Sequence, residues 1–186
     1  MSSRESILNA IREITASPKS LPEIPDFHLE GSLNDLFNAA LQANKAEVMS
    51  KEEFLFWKKN SGLESVFTTV TEFQDQSTLI LPYNPHALED LQLAILEGQF
   101  GVAENGAIWL EDAQLPFRAL PFITEHLAII LKKETLLATM HQAYERIGGN
   151  YSGFGLFVAG PSKTADIEQS LVIGAHGAKS LRVVLI

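Results

Sequence analysis

Residues 155–186 read GLFVAGPSKTADIEQSLVIGAHGAKSLRVVLI. A continuous apolar run, 155–159, and a run apolar except for Arg182, 181–186, bracket a polar stretch that opens on Gly160 and Pro161. Continuous rather than alternating apolar runs point to strands covered on both faces. The polar stretch predicts a helix over 164–173, entered through a glycine–proline turn and closed at Gly174. Upstream, the run 127–131 precedes a helical stretch over 133–146. Strand, helix, strand, helix, strand reads as βαβαβ with a parallel sheet. Further strands are expected at 66–70, 78–81, 93–96 and 107–110, so the fold class is α/β with a mostly parallel sheet.

The N-terminal part has a different rhythm. Ser2 and Glu5 form a capping box ahead of Ile7, Leu8, Ile11 and Ile14 at helical spacing. Pro18, Pro22 and Pro25 then predict an extended arm over 17–31, either a connector lying on the domain or an exchange element between subunits. A second helix is expected after Ser32, with Leu33, Leu36, Phe37, Ala40 and Leu41 on one face. A third follows the capping box of Ser50 and Glu53, its aromatics Phe54, Phe56 and Trp57 assigned to the core. The expected organisation is a helical extension with a proline-containing arm over 1–45 and one α/β domain over 46–186.

Composition excludes several chemistries. The chain has 186 residues and no cysteine, which removes disulfides, thiolate catalysis, cysteine-ligated zinc and protein-ligated iron–sulfur clusters. Net charge is −9, from 14 basic and 23 acidic side chains, so nucleic acid and anionic membranes find no basic stripe to bind. No apolar run reaches the ~20 residues of a membrane span. The N-terminus lacks a signal-peptide core, so the expected location is the cytoplasm. His28, His86, His126 and His141 show no paired metal-ligand spacing.

Candidate chemistry sits in three segments. In an open parallel sheet, ligands bind beyond the carboxyl ends of strands, near helix N-termini. The segment 160–168 fits that description if a helix follows it: Gly160 for the turn, Ser162 or Thr164 as cap, Lys163 as a cation, and Asp166 and Glu168 in the first turn. The same residues also describe a well-capped helix with no ligand. The second segment is Glu104, Asn105 and Gly106, where Asn-Gly is a hairpin signal and Glu104 is either a solvated turn acid or a carboxylate aimed into a crevice. The third is His176 between Gly174 and Gly177, a general base or a helix-end histidine. Ser162, Asp166 and His176 suggest a hydrolase triad, but no G-x-S-x-G elbow accompanies them. Pro161 stands where a P-loop needs lysine, and no G-x-G-x-x-G follows a strand.

The stretch GPSKTADIEQSLVIGAHGAKSLRVVLI resembles the signature of the LUD-domain family, of the lactate-utilisation protein C type. Upstream, AENGAIWL resembles that family's acidic turn, with Asn105 where threonine is usual. The resemblance implies a three-layer sheet related to the sugar-phosphate isomerase, coenzyme A transferase and formyltetrahydrofolate cyclo-ligase architecture. It also implies a role beside iron–sulfur partner proteins in oxidising L-lactate to pyruvate, with this chain an accessory component that holds no cofactor and binds a small anionic metabolite. A free-standing enzyme or ligand-binding domain acting on such a metabolite is the other reading. Oligomerisation through the arm and its flanking helices is a further expectation.

Purified alone, the chain is expected to be colourless. Visible iron–sulfur absorption persisting after removal of every other protein would contradict the reading from its cysteine content.

Overall fold

The computed structural model describes residues 2–14, 20, 22–149, 153–165 and 171–186. The strands are β1 (Glu47–Met49), β2 (Val66–Thr68), β3 (Leu93–Glu97), β4 (Phe100–Val102) and β5 (Ala107–Glu111), followed by β6 (His126–Leu131), β7 (Gly155–Val158), β8 (Lys163–Ala165), β9 (Leu171–Ile173) and β10 (Ser180–Leu185). The helices are α1 (Ser3–Glu13), α2 (Leu33–Ala43), α3 (Lys51–Asn60), α4 (Leu120–Ile123) and α5 (Met140–Ile147).

Five strands form an all-parallel sheet in the order β1-β10-β6-β3-β2. Its central strands are largely apolar, and the pleat divides their apolar side chains between two cores. Leu127, Ile129, Leu131, Leu181, Val183 and Leu185 pack with Phe37 and Leu41 of α2 and with Ile108 and Leu110 of β5. Ala128, Ile130, Val184 and Ile95 face the other way, against Phe54 of α3 and Phe73. Full burial of each large apolar side chain contributes about 1.5–3 kcal/mol, so the sheet is anchored from both sides.

A second sheet of three antiparallel strands, β4-β5-β7, lies over the larger core. Ile108 and Leu110 point inward, while Phe100, Trp109 and Phe157 point outward onto α5 through Ala143, Met140 and Ile147. This corrects the expectation that 155–159 belongs to the parallel sheet: β7 pairs with β5, Trp109 opposite Phe157. A glycine makes the pairing possible, because a Cβ on Gly155 would fall inside the Trp109 ring.

Three further expectations are corrected. The helix predicted over 164–173 is absent where it can be seen: Lys163–Ala165 and Leu171–Ile173 pair as antiparallel strands, Thr164 opposite Val172. Leu171 is 56% exposed. β-branched Thr164, Val172 and Ile173 favour that extended pairing. The expectations for Asp166 and Glu168 lie outside the described residues. The helix expected over 133–146 begins only at Met140, where the Thr139 side chain accepts from the Gln142 amide. The chain before it instead brings Leu137 beside Val102 in a parallel bridge. The stretch 78–81 is not a strand. The Thr78 and Leu79 amides donate to the Val66 carbonyl and the Thr78 hydroxyl accepts from the Val66 amide, which closes the edge of β2.

Both capping boxes form as expected, at Ser2–Glu5 and Ser50–Glu53. Phe54 is buried, but Phe56 is solvent-facing. No residue of α1 is buried. The described part of the arm lies on the domain: Phe27 stacks on His141 of α5 with ring centroids 4.7 Å apart.

Gly155→Ala is expected to destabilise the domain by about 1–3 kcal/mol through overpacking against Trp109. Gly149→Ala, whose Cβ meets nothing within 4 Å, is the control and should stay near wild type. Urea unfolding of both variants checks this; equal midpoints would contradict it.

Candidate functional site

Asn44 caps the end of helix α2, and Lys45 turns the chain with φ 68°, the one left-handed backbone carried by a side-chain-bearing residue among the described residues. That turn directs three contacts outward from Asn44. Its Nδ2 donates to the Asn105 carbonyl at 2.8 Å. Its Oδ1 receives a long contact of 3.4 Å from the Lys163 Nζ. Its backbone carbonyl oxygen lies 2.5 Å from the place a Cβ on Gly160 would occupy. The turn 103–106 and the segment 160–164 therefore meet at a residue that belongs to neither.

Apart from His176, the described candidate residues have definite places around this junction; Asp166 and Glu168 lie outside the described residues. Asn105 Oδ1 accepts from the Ala107 amide, and Gly106 (φ 72°) sits where a Cβ would meet the backbone of Ala40 and Leu41. The Asn-Gly hairpin expected from the sequence is thus the β4–β5 turn, with α2 pressed against it. The carboxylate of Glu104 is directed at the Met140 amide, which it receives at 2.9 Å, so it caps the first turn of α5. Gly160 has φ 150° and Pro161 is buried. Ser162 is held by main-chain bonds on both sides, its amide donating to Ala178 and its carbonyl accepting from Gly174. It caps no helix, because its successors enter β8. Thr164 is a strand residue, half-buried. Lys163 is exposed, and among the described residues no carboxylate lies within ion-pair distance of it. His176 lies elsewhere, on a cleft described below.

One polar cluster escaped the sequence reading. Arg182 is only 8% exposed, and its guanidinium stacks 3.7 Å from the Trp57 ring centroid. It donates to Ser180 Oγ at 2.7 Å and to Glu47 at 3.2 Å, while its Nε is buried without a partner among the described residues. Ser180 Oγ in turn lies 2.8 Å from His126 Nδ1. The guanidinium can only donate, which leaves the hydroxyl free to donate to an unprotonated Nδ1. Burial, the largest cause, holds His126 below its usual pKa; Arg182 and Lys179 add to this, and Glu125 and Glu47 oppose it. Burial likewise pulls the Arg182 guanidinium down, against Glu47. The available signal was Ser180 and Arg182 at alternate positions of an otherwise apolar strand. The arrangement pins α3 to the sheet through Trp57 and ties β1 to β10.

A cleft of about 760 Å³ is lined by Glu64, Glu89, Phe122, Glu125, His176 and Lys179 among others. These residues lie on the segments that lead into β2, β3, β6 and β10, with Phe122 on α4, so the cleft opens at the amino edge of the parallel sheet. His176, expected at the end of a helix, follows β9 instead and lines this cleft. A smaller cavity of about 310 Å³, with Thr71, Glu72, Glu97 and Lys132 in its lining, occupies the carboxyl edge. Among the described residues no three His, Asp or Glu side chains are placed to hold a metal ion, and no helix is long and apolar enough to cross a membrane.

The LUD-domain family model matches residues 3–186. The chain belongs to the LUD-domain family. Lactate utilization protein C of Bacillus pumilus is 28% identical over 132 residues, covering 68% of this chain and 54% of that protein. Its counterpart in Shouchella clausii is 36% identical over 81 residues, covering 41% and 35%. An uncharacterised protein of Neisseria meningitidis is 24% identical over an alignment that spans 100% of this chain and 94% of that protein. The chain spans about half the length of the first curated relatives it matches. Among solved structures, a DUF162-family protein from Deinococcus radiodurans superposes with TM-score 0.60 at 15% identity, covering 82% of this chain and 95% of that one. That likeness establishes the α/β fold shared by this LUD domain.

The lowered pKa of His126 has a pH consequence for the LUD domain. The unfolded chain binds this proton more tightly, near the ordinary value of about 6.5. The stabilisation is therefore complete above that pH and is lost as pH falls through the lowered native value. His126→Asn should flatten the fall in stability that begins as pH drops below about 6.5, above the window in which Glu53, Asp112 and Glu125, all held below the usual carboxylate range by their hydrogen-bond partners, become protonated. Urea midpoints across that range measure it; parallel profiles would contradict the assignment.

Proposed function

We propose that this LUD domain is an accessory, non-redox component of a lactate-utilisation system. It works beside iron–sulfur proteins that carry electrons from L-lactate as it becomes pyruvate. The observation that carries this reading is the family match along residues 3–186, together with relatives named lactate utilization protein C. A sequence without cysteine suits a division of labour in which the clusters are ligated by other chains. The parallel sheet is in keeping with a distant relation to the sugar-phosphate isomerase and coenzyme A transferase architecture.

The small anionic metabolite is assigned to the Asn44 junction. Lys163 offers a positive charge whose described neighbour is an amide oxygen rather than a carboxylate, and Asn44 presents a donor and an acceptor beside it. A carboxylate arriving there gains a charge-assisted hydrogen bond, roughly twice as strong as a neutral one. Glu104, Asn105, Gly106, Gly160, Ser162 and Thr164 shape the surroundings, with Asp166 and Glu168 following in the chain. The amino-edge cleft favours a second reading, a ligand-binding domain acting alone, since about 760 Å³ is ample for a small molecule.

Lys163→Gln and Asp166→Asn are expected to abolish lactate-dependent growth while leaving the melting temperature nearly unchanged. Glu104→Gln should weaken growth and also loosen α5, by about 1 kcal/mol or less. The purified chain should not oxidise lactate with an artificial electron acceptor unless iron–sulfur partners are added. Turnover by the chain alone, or wild-type growth in both charge variants, would overturn the proposal.

A further inference from the structure

The amino-edge cleft is lined from four separate segments and combines two kinds of surface. Its floor is apolar: Leu91 is buried, while Phe122 and Ile123 are 50% and 37% exposed. Its rim carries Glu64, Glu89 and Asp90, all exposed, none within ion-pair distance of a cation among the described residues. Lys179, the one lysine in the lining, is already paired with Glu125. The net charge of −9 adds to the repulsion among these carboxylates. Uncompensated acid around exposed apolar side chains is the complement of a cationic, amphipathic occupant.

The carboxylates are not gathered for a single ion. Among the described residues no three acid or histidine side chains come close enough to share a metal, so the charge is spread along the cleft. The sign also excludes the small anion assigned to the Asn44 junction.

We infer that this cleft docks an extended basic segment of a partner protein. Arginine or lysine side chains of the segment pair with Glu64, Glu89 and Asp90, and an apolar side chain between them rests on Phe122 and Ile123. The inference rests on the reading of this chain as a component that works beside other proteins, and it names the surface used for that contact.

The test is fluorescence anisotropy of a fluorescein-labelled octapeptide alternating arginine with leucine, titrated with the full chain at low salt. The expected result is saturable binding that weakens roughly tenfold or more in the Glu89→Gln/Asp90→Asn double variant. It should also weaken in Phe122→Ala and remain unchanged in Glu134→Gln, an exposed carboxylate outside the cleft. A peptide with glutamate in place of arginine should not bind. Thermal unfolding of each variant shows that it is folded; should Phe122→Ala fail to fold, Phe122→Leu replaces it. The inference is overturned by absence of binding, or by equal weakening in Glu134→Gln, which would mean attraction by net charge alone. It is also overturned if spermine binds with the same dependence on Glu89 and Asp90 and peptide binding is indifferent to Phe122. The assay contains no lactate, so its failure leaves the growth and turnover results standing, and their failure leaves this one standing.

Discussion

The pairing of β6 with β10 is the contact on which the rest of the molecule depends. Six residues of each strand run in parallel register, from His126 beside Ser180 to Leu131 beside Leu185. Both strands are sandwiched between other elements, so nearly every side chain along them is buried. A parallel pair cannot be closed by a short hairpin. The chain between the two strands must leave the sheet and return, and everything from 132 to 179 is that excursion. It contains α5, β7 and the β8–β9 ribbon. The part of the C-terminal resemblance that precedes β10 is therefore carried on an excursion held at both ends by the strongest part of the core.

How much of this was legible in the sequence depends on what each run had to distinguish. Strands β3, β5, β6 and β10 were plain, because apolar runs such as Leu127–Leu131 have no polar face on which to form a surface helix. Strand β7 was recognised as a strand but assigned to the wrong sheet. Nothing local says that the partner of Phe157 is Trp109; that depends on Gly155 leaving room for an indole ring forty-six positions away in sequence. The ribbon was misread for a different reason. Its residues alternate small, polar and apolar side chains with enough helical spacing to satisfy that template, while the β-branched Thr164, Val172 and Ile173 were outweighed. Strands β1 and β4 are three residues long, too short to show a period.

The candidate site was legible in its parts and not in its centre. The Asn-Gly turn and the Gly-Pro segment announce themselves through backbone chemistry. Asn44 does not, because an asparagine after a helix looks like an ordinary C-terminal residue. Only the fold shows that one side chain meets both segments. The same holds for the cluster of Glu47, Trp57, His126, Ser180 and Arg182, whose members come from four distant elements. Its buried guanidinium is balanced by an aromatic face and a single carboxylate. Such a charge is costly to desolvate, and its position explains why a short edge strand like β1 stays on the sheet. The surface charge divides the remaining work: a cation with no described counter-ion at the Asn44 junction, and uncompensated acids at the amino-edge cleft.

The central claim is that the turn 103–106 and the segment 160–164 act as one site through Asn44. Two-dimensional amide NMR of the labelled chain titrated with L-lactate tests it most directly. The account predicts that the amide signals of Asn105, Gly106, Gly160 and Lys163 shift together with one saturation curve, and that Asn44→Ala removes the response at both segments. Shifts confined to one segment, or found only at residues of the amino-edge cleft such as His176, would contradict it.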